Sequence, residues 1–276
     1  MDWTHIHSDK TQKLLSLLET HQALGIAAQI DYPKYSLYSL ITHSTAIEGS
    51  TVTEIENQLL FDDGITAKDR NIHEILMNLD LKAAYEHSMH LAHEHADFSI
   101  DMLRHLSALV MKNTGREYFT AMGSFDASKG DLRLVGVTAG PDGQSYMHYQ
   151  KVPAKLDAFC QHINAERHRL RESCDIIESY ILSFEAHYQL VTIHPWVDGN
   201  GRMARLIMNH LQYEFELPPS MVRKENKAEY IQALIDAQQQ ESSDPFVSFM
   251  MDAHIRNLER ELSNFRKSAG CDPLKS

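Results

Sequence analysis

Cysteine is scarce in this chain. The three present, Cys160, Cys174 and Cys271, stand far apart. That spacing supports neither a disulfide framework nor a thiolate metal site, and it fits a reducing compartment. Basic residues are in deficit, with 26 Lys and Arg against 38 Asp and Glu and a formal net charge of −12. A general nucleic-acid or anionic-membrane binder needs a broad basic face, so no nucleic acid and no membrane is expected as partner. A local basic pocket for a small phosphate ligand is still allowed. No apolar run approaches the roughly 20 residues that a spanning helix needs. The start, Met1-Asp2-Trp3-Thr4-His5-Ile6-His7, is too polar and acidic for a secretory signal. Internal repeats and low-complexity tracts are missing as well. The expectation is a soluble cytoplasmic protein.

What is present suits one core with an accessory segment. The chain has 276 residues, 43% of them hydrophobic and 23% charged, so a sizeable core can be buried. Its 17 histidines make the net charge smaller in size at mildly acidic pH.

Most of the chain has helical periodicity. Ser8 is placed to cap a helix with Leu14, Leu15, Leu17 and Leu18 inside. Pro33 suits a helix start, and Leu37, Leu40, Ile41 and Ile47 follow at helical spacing until Gly49 ends the run. Thr53-Glu54-Ile55-Glu56 forms a capping box, and Asp62-Asp63-Gly64 a loop. A longer helix carries Ile72, Ile75, Leu76, Leu79 and Ala83, and Ser99 caps another with Met102, Leu103, Leu106, Leu109 and Val110. Six glycines between Gly115 and Gly143 then break any helix. Arg133–Val137 and Gln144–Tyr149 flank Ala139-Gly140-Pro141-Asp142-Gly143, which predicts a β-hairpin with a five-residue turn. Helices resume after Pro153. One has the stripe Ile177, Tyr180, Ile181, Phe184, Tyr188 and Val191, and another has Met203, Leu206, Ile207 and Leu211. Asp244-Pro245 starts a last helix.

The chemistry concentrates between those two striped helices, in His194-Pro195-Trp196-Val197-Asp198-Gly199-Asn200-Gly201-Arg202-Met203-Ala204-Arg205. Pro195 stops the preceding helix near Ile193. Gly199 and Gly201 permit close backbone approach, and consecutive amides there form a nest that opens into a helix N-terminus, a ready anion site. Arg202 and Arg205 are three apart and share a helix face. Two guanidiniums beside a nest suit a polyphosphate. Asp198 offers a hard oxygen to Mg²⁺, and His194 can take a proton near neutral pH. The bland alternative is a tight helix–helix turn with structural ion pairs, which does not need a His, an Asp and two Arg on one small loop.

At these residues the chain resembles the Fic family, whose signature is His-Pro-Phe-x-Asp/Glu-Gly-Asn-Gly-Arg-x-x-Arg. Residues 194–205 match every specified position except Trp196, where the family usually has Phe. The resemblance implies AMP transfer from ATP to a Ser, Thr or Tyr hydroxyl of a target protein. By position, it makes His194 the general base and Asp198 the ligand of Mg²⁺. It places Gly199, Asn200, Gly201 and Arg202 on the phosphates and Arg205 on the γ-phosphate. It also implies a mainly α-helical Fic bundle with one inserted β-hairpin, the flap.

Two further matches extend the resemblance. Gly130–Val137 is similar to the family's flap strand, which docks the target chain by strand addition at about 133–137; an ordinary surface hairpin is the alternative. Ser44-Thr45-Ala46-Ile47-Glu48-Gly49 fits the inhibitory-helix motif Ser/Thr-x-x-x-Glu-Gly/Asn. Ser44 and Glu48 share a helix face, and a carboxylate in a last helical turn gains from a cationic partner, which the resemblance names as Arg205. A solvated Glu before a glycine cap is the alternative. Tyr230 falls where the family often has paired tyrosines near the adenine, but Ile231 follows, so Tyr230 is either an ATP contact or plain core. His87, His90, His93 and His95 crowd one helix end, and a solvated, pH-sensitive face explains them better than a metal.

The expected division is an N-terminal helical region over 1–98, with the inhibitory helix at about 34–49, and a Fic core over 99–276 with the flap at about 130–150. The expected function is an autoinhibited protein adenylyltransferase, with a homo-oligomer allowed. The alternatives are AMP removal with Glu48 catalytic, and a nucleotide-binding regulatory module without turnover.

Overall fold

The computed structural model describes residues 7–29, 31–138 and 145–268. Among them are ten α-helices: α1 Ser8–Ala23, α2 Tyr32–Ile47, α3 Glu54–Asp63, α4 Ile72–His93, α5 Ile100–Val110, α6 Val152–Ser173, α7 Ile176–Ile193, α8 Asn200–Glu214, α9 Lys227–Gln239 and α10 Asp244–Ser268. One antiparallel hairpin joins β1 Glu117–Thr120 to β2 Gly123–Asp126, with Glu117 opposite Asp126. The mainly helical class with one two-stranded hairpin is as expected.

The chain forms two compact units, residues 38–219 and residues 1–37 with 220–276. They divide at 37/38 and 219/220. In the smaller unit α10 packs on α1 and α9.

In the larger unit α8 is central and packs on α7 and α4. Met203, Leu206, Ile207 and Leu211 are fully buried, as their spacing predicts. The polar residues of α8 are buried too and find partners on neighbouring helices. Tyr85 donates to Asn209 at 2.8 Å, Gln212 donates to Ser183 at 2.9 Å, and Glu214 meets Arg167 at 3.1 Å. Both side chains of the last pair are 0% exposed. Removing one member would strand a buried charge, at a cost of roughly 3–5 kcal/mol.

Caps and stops follow the sequence closely. Thr53 and Glu56 close a reciprocal capping box, Asn71 caps α4, and Ser99 accepts from Met102 N–H. At the end of α2, Gly49 has φ +105°, Ser50 N–H reaches Thr45 O and Gly49 N–H reaches Ala46 O. That pair of bonds is a Schellman closure, and it puts Glu48 at the C-cap.

Four expectations are corrected. Ser8 is the first helical residue and His7 takes the cap position. Asp62 and Asp63 belong to α3, whose stop is Gly64 in the left-handed conformation. On α4, Ile72 and Leu79 are exposed, whereas Asn78 and Asp80 are buried. The buried face of α4 carries polar side chains, so apolar spacing alone points to the wrong side. The regular hairpin lies at 117–126. Among the described residues between 133 and 149 the pairing is a single antiparallel bridge, Thr138 with Ser145, and Leu134–Val135 is a bend. The Arg133 guanidinium takes the carbonyl of Val135, which a ladder in that register would use. The expected turn Ala139–Gly143 and Cys271 lie outside the described residues.

Asn78 ties α2, α3 and α4 together. Its Oδ1 accepts from Thr45 Oγ1 at 2.8 Å and from Asn57 Nδ2 at 2.9 Å, while Asn57 also donates to Thr42 at 2.7 Å. Ser50 accepts from Asn78 Nδ2 at 3.2 Å. A buried network of this kind fixes register, because a slip would leave several polar groups unpaired. It sets where the C-terminal turn of α2, with Ser44 and Glu48, is presented.

Candidate active site

The loop between α7 and α8 begins where Pro195 forbids further helix. His194 takes the left-handed conformation, φ 51°, ψ 63°, and its N–H still reaches Leu190 O at 3.0 Å. For a non-glycine residue this costs roughly 1–2 kcal/mol. Arg133 offsets it, with Nε donating to His194 O at 2.7 Å and its amide to Pro195 O at 3.1 Å. The His194 ring lies face to face with Tyr146, centroids 3.7 Å apart and planes 17° from parallel. Burial depresses the imidazole to about 4, and Arg133 adds to this, while the Val191 carbonyl, Asp198 and Glu48 pull the other way. The ring is therefore neutral at pH 7, the form a general base requires.

Trp196 is 1% exposed and anchors the loop, its Nε1 donating to Gly130 O at 3.2 Å. Asn200 closes the turn from both ends. Its Oδ1 accepts from Trp196 N–H at 3.1 Å, and its Nδ2 donates to Trp196 O at 2.8 Å. Asn200 thus shapes the loop. Gly199 starts α8 at φ +81°, and an added Cβ would meet Met111 Sδ at 2.8 Å. Gly199, the N-cap of α8, has no side chain with which to cap its first turn. The amide donors of that turn and the positive end of the helix dipole make an anion site.

The two arginines share a helix face by spacing, but their guanidiniums find different partners. Arg202 is buried at the end of α5, against Val110 O at 3.5 Å and Met111 Sδ at 3.1 Å, and 3.5 Å from Asp198. Arg205 turns to α2, donating from Nε to Ser44 Oγ at 2.8 Å and from Nη2 to Ser44 O at 3.0 Å. The same nitrogen meets Glu48 Oε1 at 2.5 Å. Gly201 makes room for that carboxylate, since a Cβ there would lie 2.6 Å from Glu48 Oε1.

Asp198 fits one role in a divalent site. Its side chain is 65% exposed and its Oδ1 accepts from Gly199 N–H at 2.6 Å, which leaves carboxylate oxygen for a cation. Among the described residues no cluster of three His, Cys, Asp or Glu could hold a metal by itself. A cation here would have to complete its shell with phosphate oxygens and water, as Mg²⁺ on nucleotides does.

Sequence reasoning missed several residues. Arg133 and Tyr146 brace His194, and Asp80 is buried and bonds Asn113 twice. His187 is fully buried, and burial together with the charge of Arg205 holds its pKa well below the ordinary value. A lone Arg within Leu132–Val137 was the one signal in the sequence. Tyr230 belongs to the smaller unit, 2% exposed and packed against Phe246 with centroids 6.0 Å apart. His90 pairs with Glu94, His87 stacks edge-on to His105, and His95 meets Glu214, so the histidine run converges on no common point.

Residues 97–212 match the model of the Fic/DOC family. The chain carries a Fic domain. It is 26% identical over 238 residues to protein adenylyltransferase fic-1 of Caenorhabditis briggsae, covering 86% of this chain and 43% of that protein. To protein adenylyltransferase Fic of Drosophila grimshawi it is 28% identical over 258 residues, covering 90% and 48%. The chain thus spans less than half the length of these two relatives. Among solved structures, Fic-1 from C. elegans superposes with a TM-score of 0.73 at 21% identity, over 95% of this chain and 74% of that one. A Fic domain containing signaling protein from Bacteroides thetaiotaomicron gives 0.72 at 20% identity, over 96% and 97%. These likenesses show that the Fic domain has its family's fold. Among the described residues no helix is long and apolar enough to cross a membrane.

Proposed function

We propose that the chain is an autoinhibited protein adenylyltransferase, moving AMP from ATP to a Ser, Thr or Tyr hydroxyl of a target protein. The observation that carries this reading is a neutral, braced imidazole beside a glycine-started helix N-terminus. In the reaction the target oxygen attacks the α-phosphorus, the α–β bridging P–O bond breaks, pyrophosphate leaves, and His194 takes the hydroxyl proton. Gly199, Asn200 and Gly201 offer donors to the phosphates, Arg202 adds charge, and Arg205 is the ligand for the γ-phosphate. Asp198 is the residue that would hold Mg²⁺, which when bound neutralises phosphate charge as the leaving group departs. Preorganised donors and charge are the main catalytic resource for such a transfer.

Autoinhibition is supported by Arg205, which Ser44 and Glu48 already engage. Target docking is proposed at 133–137. There the carbonyls of Val135 and Val137 are used internally, by Arg133 and by Tyr146 N–H, while the main chain of Leu134 and Gly136 has no bond among the described residues. The cytoplasmic placement belongs to this proposal and is supported by the free thiols of Cys160 and Cys174. A second reading, AMP removal with Glu48 aligning a water, is favoured by the nearness of its carboxylate to Gly201 at the start of α8.

The test is incubation with labelled ATP and Mg²⁺, wild type beside His194→Ala. Loss of a general base typically costs ~10²–10⁴ in rate. Label transfer that disappears in the mutant, with ATP binding retained, supports the reading, and near-normal transfer contradicts it.

A further inference from the structure

The segment 133–149 touches His194 twice, by two unlike contacts. The first is Arg133. Its guanidinium donates to three main-chain carbonyls, His194 O and Val135 O at 2.7 Å each and Met147 O. The side chain is 1% exposed and makes no ion pair among the described residues. A buried cation without a counter-ion is costly, and a plain staple between loops does not need one. This one holds the peptide plane of the residue whose left-handed backbone aims the imidazole. The second contact is Tyr146, whose ring covers one face of that imidazole at 3.7 Å, while its amide donates to Val137 O at 3.0 Å. The backbone of His194 and its ring are thus fixed from the same segment. His194 Nδ1 faces Val191 O at 3.3 Å, which leaves Nε2 for a substrate proton.

We propose that Arg133 and Tyr146 are positioning residues for the His194 imidazole, and that through them the 133–137 segment conveys its own geometry to the base. The proposal rests on the reading of His194 as general base. Neither residue touches the reacting atoms; they set where the ring points. A ring displaced by about 1 Å can lose two orders of magnitude in rate. A target chain that straightens or shifts 133–137 would move Val135 and Val137, and with them both braces. Docking and base alignment would then be one event. The charged groups facing the ring are Arg133, Asp198 and Glu48, the first disfavouring its protonation and the other two favouring it.

The experiment has two arms. In the Glu48→Gly background, AMP transfer is measured for Tyr146→Phe, Tyr146→Leu and Arg133→Lys. Tyr146→Phe keeps the stacked ring and should retain kcat within about twofold, whereas Tyr146→Leu and Arg133→Lys should lower kcat tenfold or more with KM for ATP little changed. Equal loss in Tyr146→Phe and Tyr146→Leu would overturn the stacking role, and wild-type kcat in Arg133→Lys would overturn the arginine's. The second arm needs no turnover. The His194 imidazole is followed by NMR in histidine-labelled protein, its signal identified by its absence in His194→Ala. Its titration midpoint should rise from about 4 towards the ordinary value in Tyr146→Leu and stay in place in Tyr146→Phe. Gly136→Pro, a change in the segment itself, should shift the His194 resonance at fixed pH. An unmoved resonance in both Tyr146→Leu and Gly136→Pro would overturn the proposal, even if no variant transferred AMP and the functional reading had already failed.

Discussion

Glu48 Oε1 lies 2.5 Å from Arg205 Nη2, and Ser44 accepts from the same guanidinium through both its hydroxyl and its carbonyl. One arginine cannot fully serve this turn of α2 and a γ-phosphate together. The contact is also placed with care. The buried network around Asn78 sets the register of α2, the Schellman closure at Gly49 puts Glu48 at the C-cap, and Gly201 leaves space for the carboxylate. A carboxylate at a helix C-terminus is disfavoured by the dipole and gains from the cation.

Ser44→Ala should loosen the tether without removing the carboxylate. It leaves Arg205 Nε short of a buried acceptor, worth roughly 1–3 kcal/mol. AMP transfer should rise, but by less than in Glu48→Gly. Side-by-side initial rates check this ordering, and a Ser44→Ala rate above that of Glu48→Gly would be inconsistent with it.

Asp198→Ala should lower AMP transfer and flatten its dependence on Mg²⁺ concentration. Titrating Mg²⁺ at saturating ATP distinguishes the cases. An unchanged Mg²⁺ midpoint would remove Asp198 from the metal's shell and leave it with its helix-start role at Gly199.

Gly136→Pro removes an amide donor from the segment proposed to pair with targets. Modification of a protein target should fall. Full modification by the mutant would show that docking does not use this main chain.

Four buried histidines predict the pH dependence of stability. Burial holds His194 at about 4 and His210 and His254 at about 3, and lowers His187 well below its ordinary value. Each folded pKa lies below the unfolded value of about 6.5, so the unfolded state takes up protons first as pH falls. The stability they contribute is complete above that value and is lost on acidification towards the folded pKa. Each adds up to ~1.4 kcal/mol per pH unit. Asp80 and Glu214, both raised by burial, act in the opposite sense. Urea midpoints at pH 7 and pH 5.5 should therefore differ, the lower pH giving the lower midpoint. Equal midpoints would contradict the buried, neutral state of these rings.

The sequence was most legible where one residue type settles the backbone. Pro195 ends α7, Gly49 ends α2, Gly199 starts α8, and Thr53 with Glu56 caps α3, and each has a local cause. It was least legible where polar side chains go inside. Asn78 and Asp80 put the buried face of α4 where apolar spacing does not look. Arg133 sits in an alternating run that looks like a strand, but its guanidinium takes the Val135 carbonyl that a ladder needs, and Leu134–Val135 is a bend. Tyr146 carried no signal at all, because its partner is 48 residues away in the sequence and only the fold brings the rings together.

In the proposed autoinhibition, Glu48 restrains an otherwise complete site by holding Arg205. The most direct test is the initial rate of AMP incorporation from labelled ATP, in wild type, Glu48→Gly and Glu48→Gly with His194→Ala. Glu48→Gly should raise incorporation tenfold or more, a change that needs only about 1.4 kcal/mol, and His194→Ala should erase the gain. A Glu48→Gly rate no higher than wild type, together with loss of AMP removal from a modified target, would contradict restraint and make Glu48 a catalytic residue of the reverse reaction.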